Sequence, residues 1–156
     1  MIPFAEWLPD QADLNNAGVT LVKNVLPHAM GYVPFPDTEA YTNALTARCQ
    51  GAIQANDKDG NVFTFAGDAT KLQVIVNGVW TDVTRSADVY ATPATEGWEF
   101  VKWNQTIIAT NFFDEIQSKA ISASGNFANL AGTPPQAKHI TTARNFVIVG
   151  NVNDTT

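Results

Sequence analysis

Residues 71–83, KLQVIVNGVWTDV, read as two short runs of β-forming residues on either side of Asn77-Gly78. Asn-Gly is the preferred pair for a two-residue type I′ turn, because both turn positions need positive φ and these residues adopt it at low cost. Upstream, GAIQAN (51–56) and NVFTFAG (61–67) flank a second turn at residues 57–60. Residues 48–84 therefore predict four consecutive strands joined in an antiparallel meander.

The same succession of strands and turns occurs twice more along the chain. Residues 98–131 predict a second set of four strands, with turns at Asn104-Gln105 and around Ser124-Gly125. Residues 137–156 predict a partial third set, with a turn near Arg144-Asn145. The blade-like region predicted from the sequence therefore covers residues 48–156.

The spacing of these sets indicates a repeat. Their second strands are predicted to start at Val62, Ile107 and Phe146, which are 45 and 39 residues apart. Four-strand units with a period of about 40–50 residues are typical of β-propeller blades. The sequence predicts an all-β fold of four-stranded antiparallel meanders of the propeller-blade type, an incomplete propeller. A β-sandwich or barrel stays open as the alternative, and in either case stacked neighbours must cover the faces of each set.

Residues 1–47 lack this alternation and hold five of the eight prolines. They predict an extended N-terminal arm with one short strand at residues 19–25, which ends before Pro27. Large apolar side chains on such a segment more often anchor onto a partner than form a core. Packing back onto the same chain is the alternative. The candidate contacts are Phe4, Trp7, Tyr32 and Phe35.

The charge balance argues against nucleic-acid binding. The net charge is −6, and Lys and Arg are scattered along the chain, whereas a grip on nucleic acid needs clustered cations. An acidic surface instead suits a channel that DNA passes without sticking. No apolar run approaches the ~20 residues of a membrane-spanning helix, the N-terminus lacks the pattern of a secretory signal, and the single Cys49 excludes an internal disulfide.

No residue pattern predicts catalysis, a metal or a cofactor. His28 and His139 each stand without a second ligand at metal-binding spacing. Residues 56–61 resemble part of a calcium loop, but the position of the glycine and the missing glutamate favour a hairpin turn. Two pairs of neighbouring carboxylates show no sign of facing each other across a cleft, as glycoside hydrolysis requires. They are Glu96 with Glu99 and Asp114 with Glu115. We therefore expect a protein that is not an enzyme.

The tryptophans of the predicted strands and the single cysteine are expected to be buried. Trp80, Trp98 and Trp103 are interpreted as core or blade-packing residues. Cys49 is interpreted as a small core residue in the first strand of the first set.

Several stretches of the chain resemble the tail hub or nozzle proteins of short-tailed phages, the packaged-DNA stabilisation or tail tubular protein B type. The arm carries FAEWLPD (4–10) and VKNVLPHAMGYVPFPD (22–37), which are similar to an N-terminal element of the form NVLP…GY…F in that family. ARCQGAIQANDKDGNVFTFAGDATKL (47–72) is similar to the strand, D-x-x-G-N hairpin and FAGD-x-x-KL element that follow. Later stretches also read like successive blades of that family: IIATN (107–111), AGTPPQAKHI (131–140) and RNFVIVGN (144–151).

The resemblance implies a structural component of a phage tail, assembled in the host cytoplasm and located in the virion. It implies a homo-oligomeric ring, hexameric by family resemblance, that contacts tail adaptor or portal-side proteins. The ring would line or close the exit channel, through which DNA passes without specific binding. Family members are several times longer than this chain, which resembles their N-terminal portion. The alternative function is a β-rich module that binds glycans or proteins.

Overall fold

The computed structural model describes residues 6–12, 14–28, 31–86 and 89–153. Within these ranges all regular elements are β-strands, and every sheet is antiparallel, with two to four strands. The predicted all-β class is therefore confirmed. The described residues contain no helix long and apolar enough to cross a membrane. The chain divides into two compact units after Ala40.

The N-terminal unit contains one hairpin, formed by β1 (Val25–His28) and β2 (Gly31–Pro34). The strand predicted at residues 19–25 is wrong, because Asn24 has a left-handed φ of 58° and the strand begins after it. Pro27 lies inside β1, opposite Tyr32. A two-stranded sheet tolerates proline because a residue that faces a free edge does not need to donate a ladder hydrogen bond.

The second unit begins with a four-stranded sheet, called sheet 1, whose strands follow each other in chain order as predicted. Asn77 and Gly78 join its last two strands with φ values of 50° and 78°, as a type I′ turn requires. Residues 57–61 form the turn between its first two strands. The strands are β3 (Gly51–Asn56), β4 (Val62–Gly67), β5 (Leu72–Val76) and β6 (Val79–Asp82).

Two further sheets follow in the same unit. Sheet 2 is a second four-stranded meander, and sheet 3 is a hairpin whose turn contains Arg144 at a φ of 53°. The strands of sheet 2 are β7 (Glu99–Trp103), β8 (Thr106–Thr110), β9 (Gln117–Ala120) and β10 (Ala128–Asn129). The strands of sheet 3 are β11 (Ala137–Ala143) and β12 (Phe146–Val152).

Sheet 2 lies between two apolar cores. Ile107 belongs to the larger core, which contains Phe65 of sheet 1, whereas Ile108 belongs to a smaller core with Ile140 of sheet 3. Successive residues of a strand point to opposite faces. Each face of β8 therefore contributes a side chain to a different core, Ile107 to the larger and Ile108 to the smaller. In addition, β7 contacts both β3 and β11, which places the first strands of the three sheets next to each other in sequence order.

Trp98 joins sheet 1 to sheet 2. Its indole packs on Gly67 and its backbone carbonyl lies against Gly51, and these two glycines are directly opposite each other in β4 and β3. A Cβ on Gly67 would come within 2.4 Å of Trp98 Cδ1, so only glycine permits this approach.

Three expectations about burial need correction. Trp98 is buried as predicted, but Trp80 is only partly buried and Trp103 is exposed near the end of β7. Cys49 is exposed and precedes β3 instead of lying within it. Residues near strand ends lie beyond the stacked part of the sheets, which the sequence pattern does not define.

Candidate protein-binding surface

Trp7 is held in the N-terminal unit by its backbone while its side chain stays accessible. It forms an isolated parallel bridge with Val19, flanked by hydrogen bonds from Leu8 N to Val19 O and from Val19 N to Glu6 O at 3.0 and 2.9 Å. The indole Nε1 donates to Thr20 O at 3.4 Å, yet the residue remains 56% exposed. The predicted contact residue is therefore an anchored aromatic at the surface.

Tyr32 lies in β2 of the N-terminal hairpin, and Phe35 follows this strand directly. The Tyr32 hydroxyl accepts a hydrogen bond from the Trp7 backbone N–H at 3.1 Å, so these two predicted residues are brought together. Phe35 N–H donates to Asn24 O at 2.9 Å, and its ring is 58% exposed. Phe4, the fourth predicted contact, lies outside the described residues.

An apolar groove runs beside these aromatics. It has a volume of about 340 Å³, and Tyr32, Val19 and Leu21 contribute to its walls together with Pro34. Leu21 is itself largely exposed, as is Leu14 outside the groove. The prediction did not include these leucines. The signal that could have found Leu21 is the apolar run around residues 19–25, which the sequence pattern predicts to be a strand. Leu14 lies outside that run.

A buried carboxylate organises the turn after the second strand of sheet 1. Asp68 Oδ1 accepts hydrogen bonds from the backbone N–H groups of Thr70 and Lys71, both at 2.8 Å. Its Oδ2 accepts from Thr46 Oγ1 at 2.6 Å and from Gln73 Nε2 at 3.2 Å. These four donors satisfy an anion that would otherwise be costly to bury.

An amide occupies the same place in sheet 2. Asn111 Oδ1 accepts from the backbone N–H groups of Phe113 and Asp114 at 3.1 and 2.9 Å. Its Nδ2 donates to Thr92 Oγ1 and to Asp114 Oδ2, both at 2.8 Å. Asp68 and Asn111 thus each accept hydrogen bonds from the backbone N–H groups two and three residues later in the chain. Each also bonds to the hydroxyl of a threonine that precedes the first strand of its sheet.

The sheet 3 equivalent is Asn153, which follows β12 directly. It donates from Nδ2 to Phe112 O and to Gln136 Oε1. Asp68, Asn111 and Asn153 are spaced by 43 and 42 residues, a more even period than the strand starts give. Sequence reasoning missed this repeat because an Asp and two Asn residues in different local sequences share no obvious motif.

Carboxylates considered as catalytic candidates instead bind cations. Asp114 Oδ1 and Glu115 Oε2 both contact the Arg85 guanidinium, at 2.8 and 2.9 Å. Arg85 also lies over the Tyr90 ring, 5.0 Å from its centroid. Burial raises the pKa of Tyr90 to about 12, and its hydroxyl donates to Gln117 Oε1 at 3.1 Å. This cluster ties the segment that follows β6 to sheet 2.

The other two carboxylates link sheets 2 and 3. Glu99 Oε1 lies 2.7 Å from His139 Nδ1, and its Oε2 accepts from Ile140 N at 3.0 Å. Glu96 Oε2 pairs with Lys138 Nζ at 2.8 Å. Each carboxylate therefore has a partner on a neighbouring segment.

The loop that resembled a calcium site is a hairpin turn. Asp57 Oδ1 accepts from Asp59 N and Asn61 N at 2.8 and 2.9 Å, and Oδ2 accepts from Asn61 Nδ2 at 2.8 Å. The Asn61 side chain, followed by backbone N–H groups, lowers the pKa of Asp57. Within the described ranges, no three His, Cys, Asp or Glu side chains converge as a metal ion would require.

A second apolar surface lies on sheet 3. Phe146 is 72% exposed, Ile148 is 49% exposed and Val152 is also exposed, and the three alternate along β12 and share one face. Val147 and Val149, which point the other way, pack against the core formed with sheet 2. One face of β12 is therefore covered and the other is open in the part of the chain that is described.

The chain matches no known protein-family model and no curated protein sequence.

Proposed function

We propose that this protein is a structural, non-enzymatic subunit of a phage tail hub or nozzle. In this proposal the three sheets are successive blades of a propeller-type array, and the subunits form a hexameric ring around the DNA exit channel. The location would be the virion tail, after assembly in the host cytoplasm.

The observation that carries the proposal is the position of the first strand in each sheet. In a propeller, the first strand of each blade lies nearest the axis, so the first strands of neighbouring blades approach one another. Here β7 contacts β3 on one side and β11 on the other. The repeat of Asp68, Asn111 and Asn153 at 43 and 42 residues supports the same arrangement.

The N-terminal unit supplies the contact with an adaptor or portal-side ring. Trp7 and Phe35 are exposed aromatics on a unit whose segments are joined by backbone and side-chain hydrogen bonds, and such side chains dominate binding at protein interfaces. Residues 1–40 hold five acidic side chains and only Lys23 as a base. The partner surface that fits is apolar at its centre and basic at its rim.

The net charge of −6 supports passage of DNA without specific binding. A negative channel wall repels phosphates, so that DNA neither stalls nor condenses on it. The acidic residues are also used in ion pairs, as at Asp114 and Glu96, which keeps them compatible with a tightly stacked array.

The test is to purify the protein and examine it by native mass spectrometry and negative-stain electron microscopy. We expect rings of six subunits, and an antibody against the chain should label the tails of virions made by the phage that encodes it. A monomeric protein, together with an antibody that labels no tail, would contradict the proposal.

A module that binds a protein outside any virion is the second candidate, and the groove beside Tyr32 favours it. Ring formation separates the two, because a binding module functions as a monomer. A glycan array provides the third arm. Specific glycan binding that is lost on substitution of an exposed aromatic would contradict both proposals and indicate a carbohydrate-binding protein.

A further inference from the structure

The turn between β5 and β6 places an asparagine side chain next to the backbone nitrogen of a glycine. Asn77 and Gly78 form the whole of this turn, and Val76 pairs with Val79 across it. Asn77 is exposed, and a Cβ at Gly78 would meet no atom within 4 Å, so the space beside the turn is open in the described part of the chain. Nowhere else in the sequence does glycine follow asparagine.

The Asn77 side chain is not held in place by a partner. Within the described residues it makes no hydrogen bond. The side-chain amides of Asn61 and Asn111 instead donate to Asp57 Oδ2 and Thr92 Oγ1, both at 2.8 Å. An amide bonded in this way is fixed in one orientation, whereas an exposed and unbonded one changes rotamer within nanoseconds. The Cγ atom of Asn77 can therefore approach the backbone nitrogen of the next residue.

The reaction open to this pair is an intramolecular acyl transfer. The backbone nitrogen of Gly78 gives its proton to water or hydroxide and attacks Cγ of Asn77. The N–Cγ bond forms, the Cγ–Nδ2 bond breaks, and Nδ2 takes up a proton and leaves as ammonia. The product is a five-membered cyclic imide. Because nucleophile and carbonyl belong to neighbouring residues, their effective concentration is high without an enzyme.

Water completes the reaction by adding to either carbonyl carbon of the imide. Addition at Cγ breaks the new bond and gives aspartate. Addition at the main-chain carbonyl carbon of residue 77 breaks the original peptide bond and gives isoaspartate, whose main chain runs through Cβ and Cγ. The reaction consumes water, releases ammonia and involves no oxidation or reduction.

Glycine and the place of the turn in the sheet both favour ring closure. Without a Cβ, the Gly78 nitrogen is not shielded, and the backbone around it rotates at low cost. The turn must open for the ring to close, because a closed type I′ turn holds the main chain on both sides of the Asn77–Gly78 peptide bond. Opening is facilitated by the position of β6 at an edge of sheet 1, where none of its four residues is fully buried.

The products differ in their effect on sheet 1. Aspartate leaves the length of the main chain unchanged, and Asp-Gly also suits a type I′ turn. Isoaspartate adds a carbon atom to the main chain of a turn whose length determines the register of the hairpin. The pairs of Val76 with Val79 and of Ile75 with Trp80 lie next to this turn and would be the first to separate.

We propose that Asn77-Gly78 is a site of spontaneous deamidation, at which the protein modifies itself and, through isoaspartate, opens the β5–β6 hairpin. Either product adds a negative charge to the exposed turn. The proposal rests on the chemistry and geometry of this turn and is independent of a role in phage tails.

The test compares Asn77 with Asn104, which is also exposed in a two-residue hairpin turn and has a φ of 56°, but is followed by Gln105. The full chain is incubated at mildly alkaline pH, digested with trypsin and analysed by mass spectrometry, with isoaspartate detected by an isoaspartyl methyltransferase. Trypsin places the two asparagines in separate peptides, residues 72–85 and 103–119. We expect deamidation at Asn77 to be at least about tenfold faster.

A matched variant tests the role of glycine by moving the reaction to the second turn. Gln105 is exposed, so Gln105→Gly leaves the core unchanged. It should raise the deamidation rate at Asn104 at least about tenfold and leave the rate at Asn77 as it was. The free peptide of residues 72–85 is incubated in parallel and gives the rate without the fold.

Hydrogen exchange measures the effect on sheet 1. The isoaspartate form, separated by ion exchange, should exchange faster at the Val79 amide, which bonds to Val76 across the turn. Freshly prepared Asn77→Asp protein, which carries the same charge on a main chain of normal length, should exchange like the original. The proposal is overturned by equal rates at Asn77 and Asn104, by a turn that stays intact after the free peptide has converted, or by unchanged exchange in the isoaspartate form.

Discussion

The indole Nε1 of Trp98 donates a hydrogen bond to the carbonyl oxygen of Asp68 at 2.9 Å while its ring rests on Gly67, the residue before Asp68. The same tryptophan donates from its backbone N–H to Gln50 O, also at 2.9 Å. Sheet 2 is thereby attached to both strands of the first hairpin of sheet 1. The contact between the two sheets depends on the absence of a Cβ at Gly67 as much as on the two hydrogen bonds of Trp98.

Gly67→Ala should therefore destabilise the protein. The new Cβ would lie 2.4 Å from Trp98 Cδ1, and a buried indole bonded at its nitrogen cannot move away cheaply. We expect a loss of about 1–3 kcal/mol in the free energy of unfolding, the usual range for overpacking, measured by urea titration with tryptophan fluorescence. Gly150→Ala is the control, since its Cβ would meet nothing closer than His139 Cβ at 4.0 Å. Equal losses in the two variants would show that Trp98 does not need the glycine.

Asp68→Ala should be costly as well. It leaves the backbone N–H groups of Thr70 and Lys71 without their acceptor in a partly buried turn and removes one of the two acceptors of the Gln73 amide. Unsatisfied buried groups of this kind cost about 1–3 kcal/mol each, so we expect a total loss of about 2–4 kcal/mol in thermal or urea unfolding. Asp59→Ala, in the exposed turn of residues 57–61, should stay within about 0.5 kcal/mol. A small effect at Asp68 would mean that solvent replaces the carboxylate.

The sequence predicted most of the strands of the second unit because their signals are local. Asn77-Gly78 determines a type I′ turn by itself, and the hairpin with its register follows from it. The turns at Asn104 and Arg144 also have the left-handed φ that short hairpin loops need. These features require no knowledge of distant residues.

The features that join the sheets could not be predicted in the same way. Trp98 meets Gly51 across 47 positions of sequence, and Asp68 meets Thr46 across 22. Nothing in the local sequence of either partner indicates the other, because such contacts are determined by stacking. The same reason explains why Trp103 was wrongly placed in the core: alternation along a strand does not show where a neighbouring sheet ends.

The exposed aromatics of the candidate interface follow in part from the sequence. Trp7 and Phe35 stand out because aromatics on a proline-rich segment are unusual, and both are exposed. The contact between Trp7 and the Tyr32 hydroxyl, which are 25 residues apart, needed the structure. The part played by each in binding stays a prediction.

Arg85→Gln should test the charge cluster that ties the segment after β6 to sheet 2. It would leave the Asp114 carboxylate, whose side chain is only 10% exposed, without its cation, and the expected loss of unfolding free energy is about 3 kcal/mol. Lys58→Gln provides the comparison, because the Lys58–Asp59 pair is exposed and should contribute less than about 0.5 kcal/mol. Both values can be measured by urea titration at neutral pH. Similar losses in the two variants would show that solvent screens Arg85 and Asp114 like a surface pair.

Tyr90 should make stability depend on pH in the alkaline range. Burial raises its pKa to about 12, above the value of about 10 in an unfolded chain. Below about pH 10 the phenol is protonated in both the folded and the unfolded state, and its contribution to the free energy of unfolding is fully present. Between about pH 10 and 12 the unfolded chain loses this proton before the folded protein does, so the contribution is lost as pH rises.

Tyr90→Phe should therefore flatten the decline in unfolding free energy over this range, although it also costs the hydrogen bond to Gln117 at neutral pH. Tyr41→Phe, at a side chain that is 86% exposed, should leave the decline as it is in the original protein. Urea titrations at several alkaline pH values, with the ultraviolet absorbance of the phenolate recorded in parallel, measure both effects. Parallel declines in all three proteins would contradict the assignment of a raised pKa to Tyr90.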